Sequence, residues 1–537
     1  MISCSNISLK YGKRTLFEEV NIRFSAGNCY GLIGANGAGK STFLKILSGE
    51  IDPTTGQVEI TPGERMAVLK QNQFEFDEFQ VLETVIMGHK KLYSIMKERE
   101  AIYANPDFSE EDGIRASELE SEFADLDGWN ADSEAAELLS GLGVKEEFHY
   151  SLMADVDPTI KVRVLLAQAL FGNPDILLLD EPTNNLDVES VLWLEDFLAE
   201  FKNTVIVISH DRHFLDQVCT HVADLDFNKI NLFTGNYSFW YESSQLALKQ
   251  RSDQNKKIED KRKELQDFIE RFSANASKSK QATSRKKLLE KLQVDEIKPS
   301  SRRYPGILFK SDREAGDQLL TIENLTSIDE EGNYFFKDVS FTINKNDRVA
   351  FVSKEPLSLT QFFEVLMGKE KSNGGEYKWG VTTSQSYIPR ENSDYFDLEY
   401  NLIDWLRQYS KDKDETFIRG FLGRMLFTGE ETLKSCRVLS GGEKVRCMLS
   451  KMMLESSNVL VMDDPTNHLD LESITALNNA MKDFNGTILF YSHDYQIINT
   501  VANRIIEIGP KGFVDKLMNY DEYLADERVK QQREAIY

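Results

Sequence analysis

The chain has 537 residues and carries 63 Lys or Arg against 88 Asp or Glu, a formal net charge of −25. Its 41% hydrophobic and 28% charged content excludes wholesale disorder, and no run approaches the roughly 18 uninterrupted apolar residues of a membrane-spanning helix. The first twenty residues lack the order of a signal peptide, and Cys4, Cys29, Cys219, Cys436 and Cys447 are too scattered for a disulfide framework or zinc site, so a reducing, cytoplasmic setting without membrane insertion is expected.

In chain order, the first informative element is the short apolar run Cys29–Ile33, followed by Gly34, Ala35, Asn36, Gly37, Ala38, Gly39, Lys40, Ser41 and Thr42 and then an apolar helical pattern. Strand, G-x-x-x-x-G-K-S, helix is the context that gives a phosphate-binding loop its meaning. Glycines let backbone N–H groups turn inward on a β-phosphate, and the helix N-terminus adds a favourable dipole. Lys40 is positioned to reach the β- and γ-phosphates of ATP, and the Ser41 hydroxyl to ligate Mg²⁺. Ile176–Leu179 reads as a buried strand ending in Asp180 and Glu181, one carboxylate for the magnesium and the next to polarise a water. His210 ends a further apolar strand, Thr204–Ser209, and reads as a phosphate-sensing group.

Between Lys90 and Glu134 the chain carries 5 basic and 13 acidic residues in helical patterns, LYSIMKEREAIY, ASELESEFADL and EAAELLSGL. An inserted acidic helical arm over about 88–135 is expected, or a solvated insertion without a partner. From Lys249 to Arg303 the balance reverses, with 17 basic and 9 acidic residues. Leu265, Phe268, Ile269 and Phe272 share one helical stripe, SANASKSKQATS follows, and RKKLLEKL closes a helix–loop–helix pattern. A charged, solvated linker and a basic hairpin aimed at a phosphate backbone both fit.

The chain then repeats itself. Val156–His210 aligns without a gap on Leu439–His493, and Cys29–Glu50 on Arg348–Lys369. KVRVLLAQ answers KVRCMLSK, LLLDEPTNNLD answers LVMDDPTNHLD, and similar aromatic tails follow both copies. The expected organisation is a first domain over 1–245, a linker over 246–317, a second domain over 318–527 and a tail over 528–537.

Leu439-Ser440-Gly441-Gly442-Glu443, standing shortly before DDPTNHLD, resembles the signature sequence of the ATP-binding cassette superfamily. That resemblance implies an α/β fold of two tandem P-loop nucleotide-binding domains joined by a basic helical-hairpin linker, and ATP hydrolysis with Mg²⁺. It assigns Gln71 to the Q-loop and so to the metal, Asp187 and Asp470 to the D-loops, His210 to the switch histidine, Glu181 to the water-activating acid and Tyr11 to the ring that stacks on adenine. Two cassettes, an arm in the first and the linker RFSANASKSKQATSRKKLLEKL resemble the ABC-F family. This implies a cytoplasmic ATPase acting on the ribosome at the tRNA exit site, its 249–303 linker reaching the P-site tRNA and its cassettes pairing within one monomer. A ribosome-protection resistance factor and the soluble ATPase subunit of an exporter are the alternatives; the short linker tip leans towards a housekeeping translation role.

Cassettes of this superfamily pair head to tail, so each ATP lies between one copy's P-loop and the other copy's signature. In the second copy Gly34, Gly37, Gly39 and Lys40 are replaced by Ser353, Pro356, Ser358 and Leu359, Glu181 by Asp464, and Gln71 by Arg390. The first copy's signature position reads Val156-Asp157-Pro158-Thr159-Ile160, with Asp157 expected to repel a phosphate. These changes fall on the same composite site, so one competent and one degenerate ATPase site are expected.

Overall fold

The computed structural model describes residues 1–12, 14–70, 72–106, 108–184, 186–272 and 302–537. Each copy is built on a six-stranded sheet. In the first the order is Met66–Val68, Ile176–Asp180, Thr204–Ile208, Cys29–Gly34, His221–Asp226 and Lys229–Thr234; all neighbours are parallel except the last pair. The strands ILLLD and TVIVI are apolar almost throughout because both faces of the parallel sheet are covered, one by helices and the other by the helix Lys40–Leu47 and an antiparallel sheet. The second sheet repeats the order with Gln385–Ile388, Val459–Asp463, Thr487–Tyr491, Arg348–Val352, Arg504–Gly509 and Gly512–Lys516. A three-stranded antiparallel sheet accompanies each. The expected tandem α/β cassettes are therefore present.

The connectivity places the site. Strand Cys29–Gly34 lies beside Thr204–Ile208, which lies beside Ile176–Asp180, although long stretches of chain separate them. Their carboxyl ends meet at one edge, where the order of strands reverses and ligands enter such sheets. Gly34, Asp180 and the segment Ser209–His210 are thereby brought to the same rim.

The acidic segment forms helices Lys90–Tyr103 and Glu110–Asp125, followed by Ala131–Gly141. Ser109 caps the second through a reciprocal pair with Asp112. Arg99 lies over the Phe123 ring at 3.9 Å and pairs with Glu120 at 3.1 Å, fastening one helix to the other. A 36-residue helix, Tyr237–Phe272, begins in the first aromatic tail and runs across residue 245 into the basic segment; the rest of the expected helix–loop–helix, 273–301, lies outside the described residues. After it, Gly306 bonds Arg424 and Phe309 enters the second cassette's core. The C-terminal segment is helical over Glu527–Ala535. Among the described residues, no helix is long and apolar enough to cross a membrane.

Candidate nucleotide site

The strand Cys29–Gly34 delivers the chain into the loop 35–39, and the helix Lys40–Leu47 starts at once. Gly37 and Gly39 have φ of 73° and 108°, backbone that a side chain would strain. A Cβ at Gly34 would stand 2.7 Å from the Leu225 carbonyl oxygen. Lys40 is buried, and its Nζ donates to the carbonyls of Gly34 at 2.8 Å and Ala35 at 3.4 Å. Burial lowers its pKa, opposed by the charges of Glu181, Glu472, Asp470 and Asp180. Ser41 is exposed and Thr42 half-buried at the head of the helix. Arg14, which the sequence did not flag, braces the loop by donating Nη2 to the Gly37 carbonyl at 2.8 Å. With Ala35–Ala38, Asp226 and Asn228 it bounds a cavity of about 160 Å³ beside the loop. Tyr11, 55% exposed, ends its strand directly opposite Arg14 in register. Gln71 lies outside the described residues.

Asp180 closes its strand and Glu181 follows in the left-handed region at φ 54°, with its N–H held by the Ile208 carbonyl at 2.8 Å. That turn aims the carboxyl at His210. The His210 backbone N–H donates to one Glu181 oxygen at 3.2 Å, and the other oxygen lies 3.3 Å from His210 Nε2. Burial pushes the Glu181 pKa up to about 8 and lowers that of His210 to about 4, the nearby Lys40 charge helping the latter down. The histidine is therefore neutral at pH 7, and the carboxyl titrates in the range useful to a general base.

The second cassette reaches into this rim. Leu471 packs in the first cassette's core, and Arg212 Nη1 approaches Thr475 Oγ1 at 3.4 Å. The carboxylates of Asp470 and Glu472 act on Lys40, and Asp470 also acts on His210; reciprocally, Asp187 acts on His493. Both predicted D-loops thus face the opposite copy. Ser440 caps the helix Gly441–Glu455 through a reciprocal pair with Glu443. Gly441 and Gly442 lie against His468, where added Cβ atoms would stand 2.8 and 2.7 Å from its side chain and carbonyl. The signature is therefore stacked behind the D-loop that approaches Lys40.

The equivalent places in the second copy are built differently. The helix there starts at Pro356, so positions matching the loop Gly37–Gly39 form its first turn. Proline has no N–H to offer, and the Ser358 N–H is bound to Glu355 at 3.0 Å. Leu359 is fully buried in a cluster with Phe362 and Phe363 where Lys40 stands in the first copy. Thr360 Oγ1, matching Ser41, donates straight to Asp463 Oδ2 at 2.7 Å. Burial pushes Asp463 up to about 7. Asp464 lies 3.7 Å from His493, whose ring is occupied by the Tyr491 hydroxyl at 2.7 Å. The Lys354 N–H donates to the Tyr537 hydroxyl at 2.7 Å, so the C-terminal segment packs on this loop. In the first copy's signature position Asp157 caps its own helix, accepting from the Thr159 N–H at 2.8 Å. The expected repulsive carboxylate is thus already engaged by its helix.

A family model described as ABC transporter matches residues 17–184 and 336–467, and a second of the same description matches 223–309. The chain is 62% identical over 540 residues, 100% of both chains, to the uncharacterized ABC transporter ATP-binding protein YkpA of Bacillus subtilis. It is 32% identical over 537 residues to ABC transporter F family member 2 of Arabidopsis thaliana, covering 97% of this chain and 78% of that one. Among solved structures, the complex of the archaeal ribosomal stalk protein aP1 with the ribosome recycling factor aABCE1 shares the fold with a TM-score of 0.61 at 17% identity, covering 99% of this chain and 98% of that one.

Proposed function

The chain belongs to the ABC-F family of ATP-binding cassette proteins, and from that premise we propose that it is a ribosome-associated ATPase that hydrolyses ATP at one composite site and leaves the other idle. The observation that carries the asymmetry is the contrast between the two cradles: an open glycine loop with Lys40 at its centre, against a helical turn beginning at Pro356 with Leu359 buried in its place. The first site fits a magnesium nucleotide, since Lys40 is a buried cation bonded to loop carbonyls, and the close approach of Gly34 to Leu225 keeps the loop open.

In that site Lys40 and the loop N–H groups would hold the phosphates, while Ser41, Asp180 and Gln71 would hold Mg²⁺, which would supply Lewis-acid stabilisation of developing charge. Tyr11 offers its exposed ring to the base. Glu181 takes the proton from the attacking water, and neutral His210 keeps the carboxyl oriented from both its backbone and its ring. Ser440, Gly441 and Gly442 close the far side when the copies draw together.

Lys40→Ala and Glu181→Gln should each lower ATP turnover at least a hundredfold, while Asp464→Asn leaves it within about twofold. Equal damage from Asp464→Asn and Glu181→Gln refutes the asymmetry. The family and the +8 segment Lys249–Arg303 support the ribosome as partner, at the tRNA exit site and P-site tRNA, and the short polar stretch SANASKSKQATS leans towards a housekeeping role in translation. Glu181→Gln with ATP should co-sediment with 70S particles, and its failure to do so at 0.1 M salt counts against ribosome binding.

A further inference from the structure

Arg302, the first described residue after the segment 273–301, ends in a buried cluster that joins both cassettes. Its Nη2 pairs with Asp224 and its Nη1 with Asp226 at 3.4 Å, both in the first cassette's strand His221–Asp226. Its Nε pairs at 3.0 Å with Glu472 of the second cassette, and its guanidinium lies 4.8 Å from the Trp240 ring centre at the base of the long helix. The Arg302 and Glu472 side chains are only 9% and 7% exposed, so bulk water screens the pair little. The second Glu472 oxygen, Oε2, is buried with no hydrogen-bond partner among the described residues.

Glu472 is also the residue beside Leu471, which is embedded in the first cassette's core. Its neighbours Asp470 and Thr475 both approach first-cassette groups, Lys40 and Arg212. Glu472 and Lys40 act on one another's charge. A half-satisfied buried carboxylate therefore faces the lysine that the functional reading assigns to the phosphates. Left uncompensated it would repel a triphosphate; Arg302, shared with Asp224 and Asp226, offsets part of that charge.

We propose that Arg302 is a positioning residue for the ATP site, holding Glu472 and offsetting part of its charge near Lys40, so that the position of Arg302 sets the affinity for ATP. This rests on the reading of Lys40 as the phosphate-binding lysine. Reciprocity follows: whatever draws Arg302 away from Glu472 weakens ATP binding, and ATP binding tightens the hold on Arg302 by the same factor.

The test titrates the full-length chain, without ribosomes, with a fluorescent ATP analogue and Mg²⁺. Arg302→Met should weaken binding at least about tenfold, the size expected of a poorly screened unit charge near the phosphates. Glu472→Gln alone should tighten binding about threefold or more, because it removes one negative charge near Lys40 while Asp224 and Asp226 still hold Arg302 in place. The double variant should return to within about threefold of wild type. A merely structural cluster predicts the opposite, a double variant at least as weak as Arg302→Met, and that result overturns the proposal. So does unchanged or weaker binding by Glu472→Gln, a measurement that stands even if Arg302→Met does not fold. A wild-type chain that binds no nucleotide overturns the ATP-site reading along with the pair, whereas wild-type binding without rescue overturns the pair alone.

Discussion

Glu181→Gln should stabilise the protein, and by an amount that grows with pH. The Glu181 side chain is 19% exposed, and burial takes its pKa from the ordinary 4.5 to about 8. At about 1.36 kcal/mol per pH unit, holding an ionised carboxylate there costs up to about 5 kcal/mol once the pH reaches 8. The sign follows from the folded pKa lying above the unfolded one. The protonated group's contribution is whole below about 4.5 and is lost as pH rises through about 8. Glutamine keeps the shape and cannot ionise, so it removes the penalty. The expected gain is about 1 kcal/mol or less at pH 5 and about 3–5 kcal/mol at pH 8.5. At roughly 2 °C per kcal/mol for a unit of this size, the melting midpoint should rise by up to about 10 °C at the alkaline end. Thermal unfolding followed by circular dichroism at 0.15 M salt, from pH 5 to 9 without nucleotide, measures it. A gain of the same size at every pH, or a lower midpoint for the variant at pH 8.5, refutes the argument that ionisation of this carboxyl opposes folding. The variant expected to stall turnover should then also be the more stable protein, the pattern of a functional group held against its own solvation.

Leu359→Lys should fail to restore a second nucleotide site and should destabilise the second cassette by about 3 kcal/mol or more, because it places an ammonium among phenylalanines with no acceptor loop around it; equilibrium dialysis with ATP and urea unfolding check both, and a second equivalent of bound ATP sinks the reading. Arg533→Ala should cost about 3–5 kcal/mol by leaving Glu507, itself 1% exposed, without its 2.7 Å cationic partner and with only neutral tyrosine hydroxyls, those of Tyr523 and Tyr537. Urea denaturation followed by fluorescence tests it, and a loss under about 1 kcal/mol shows that tyrosine alone suffices.

The P-loop, the acids after Ile176–Leu179 and the histidine after Thr204–Ser209 were legible because each is fixed by its immediate neighbours: glycine spacing, an apolar run and the residue that ends it. The doubled order of these signals carried the fold. The arm helices were legible from their period, whereas the Ser109–Asp112 pair that caps the second was not read. Arg14 was not, since nothing nearby in sequence says that its guanidinium will turn back onto the Gly37 carbonyl. Arg302 and Glu472 lie far apart in the chain and meet through the packing of two domains, and only their shared burial marks them. Tyr491 against His493 was hidden for the opposite reason: an aromatic at a strand end reads as core, and its hydroxyl engages the neighbouring ring only because the strand turns there.

The second cradle shows how little chemistry separates an open loop from a closed one. Both copies use the same strand and helix, and the register between them is unchanged. What differs is whether the intervening residues can hold positive φ. Gly37 and Gly39 can, and the loop stays open with its helix beginning at Lys40. Pro356 is confined to φ near −65°, which suits the first turn of a helix, so the helix grows backwards over the loop. That growth carries position 359 into the apolar cluster of Phe362 and Phe363, where leucine is the stable choice and lysine is not. Loss of the lysine and loss of the loop are therefore one structural event. No single reversion can undo it: a lysine without the glycines has no cradle to reach into, and glycines without the lysine leave a phosphate with no cation.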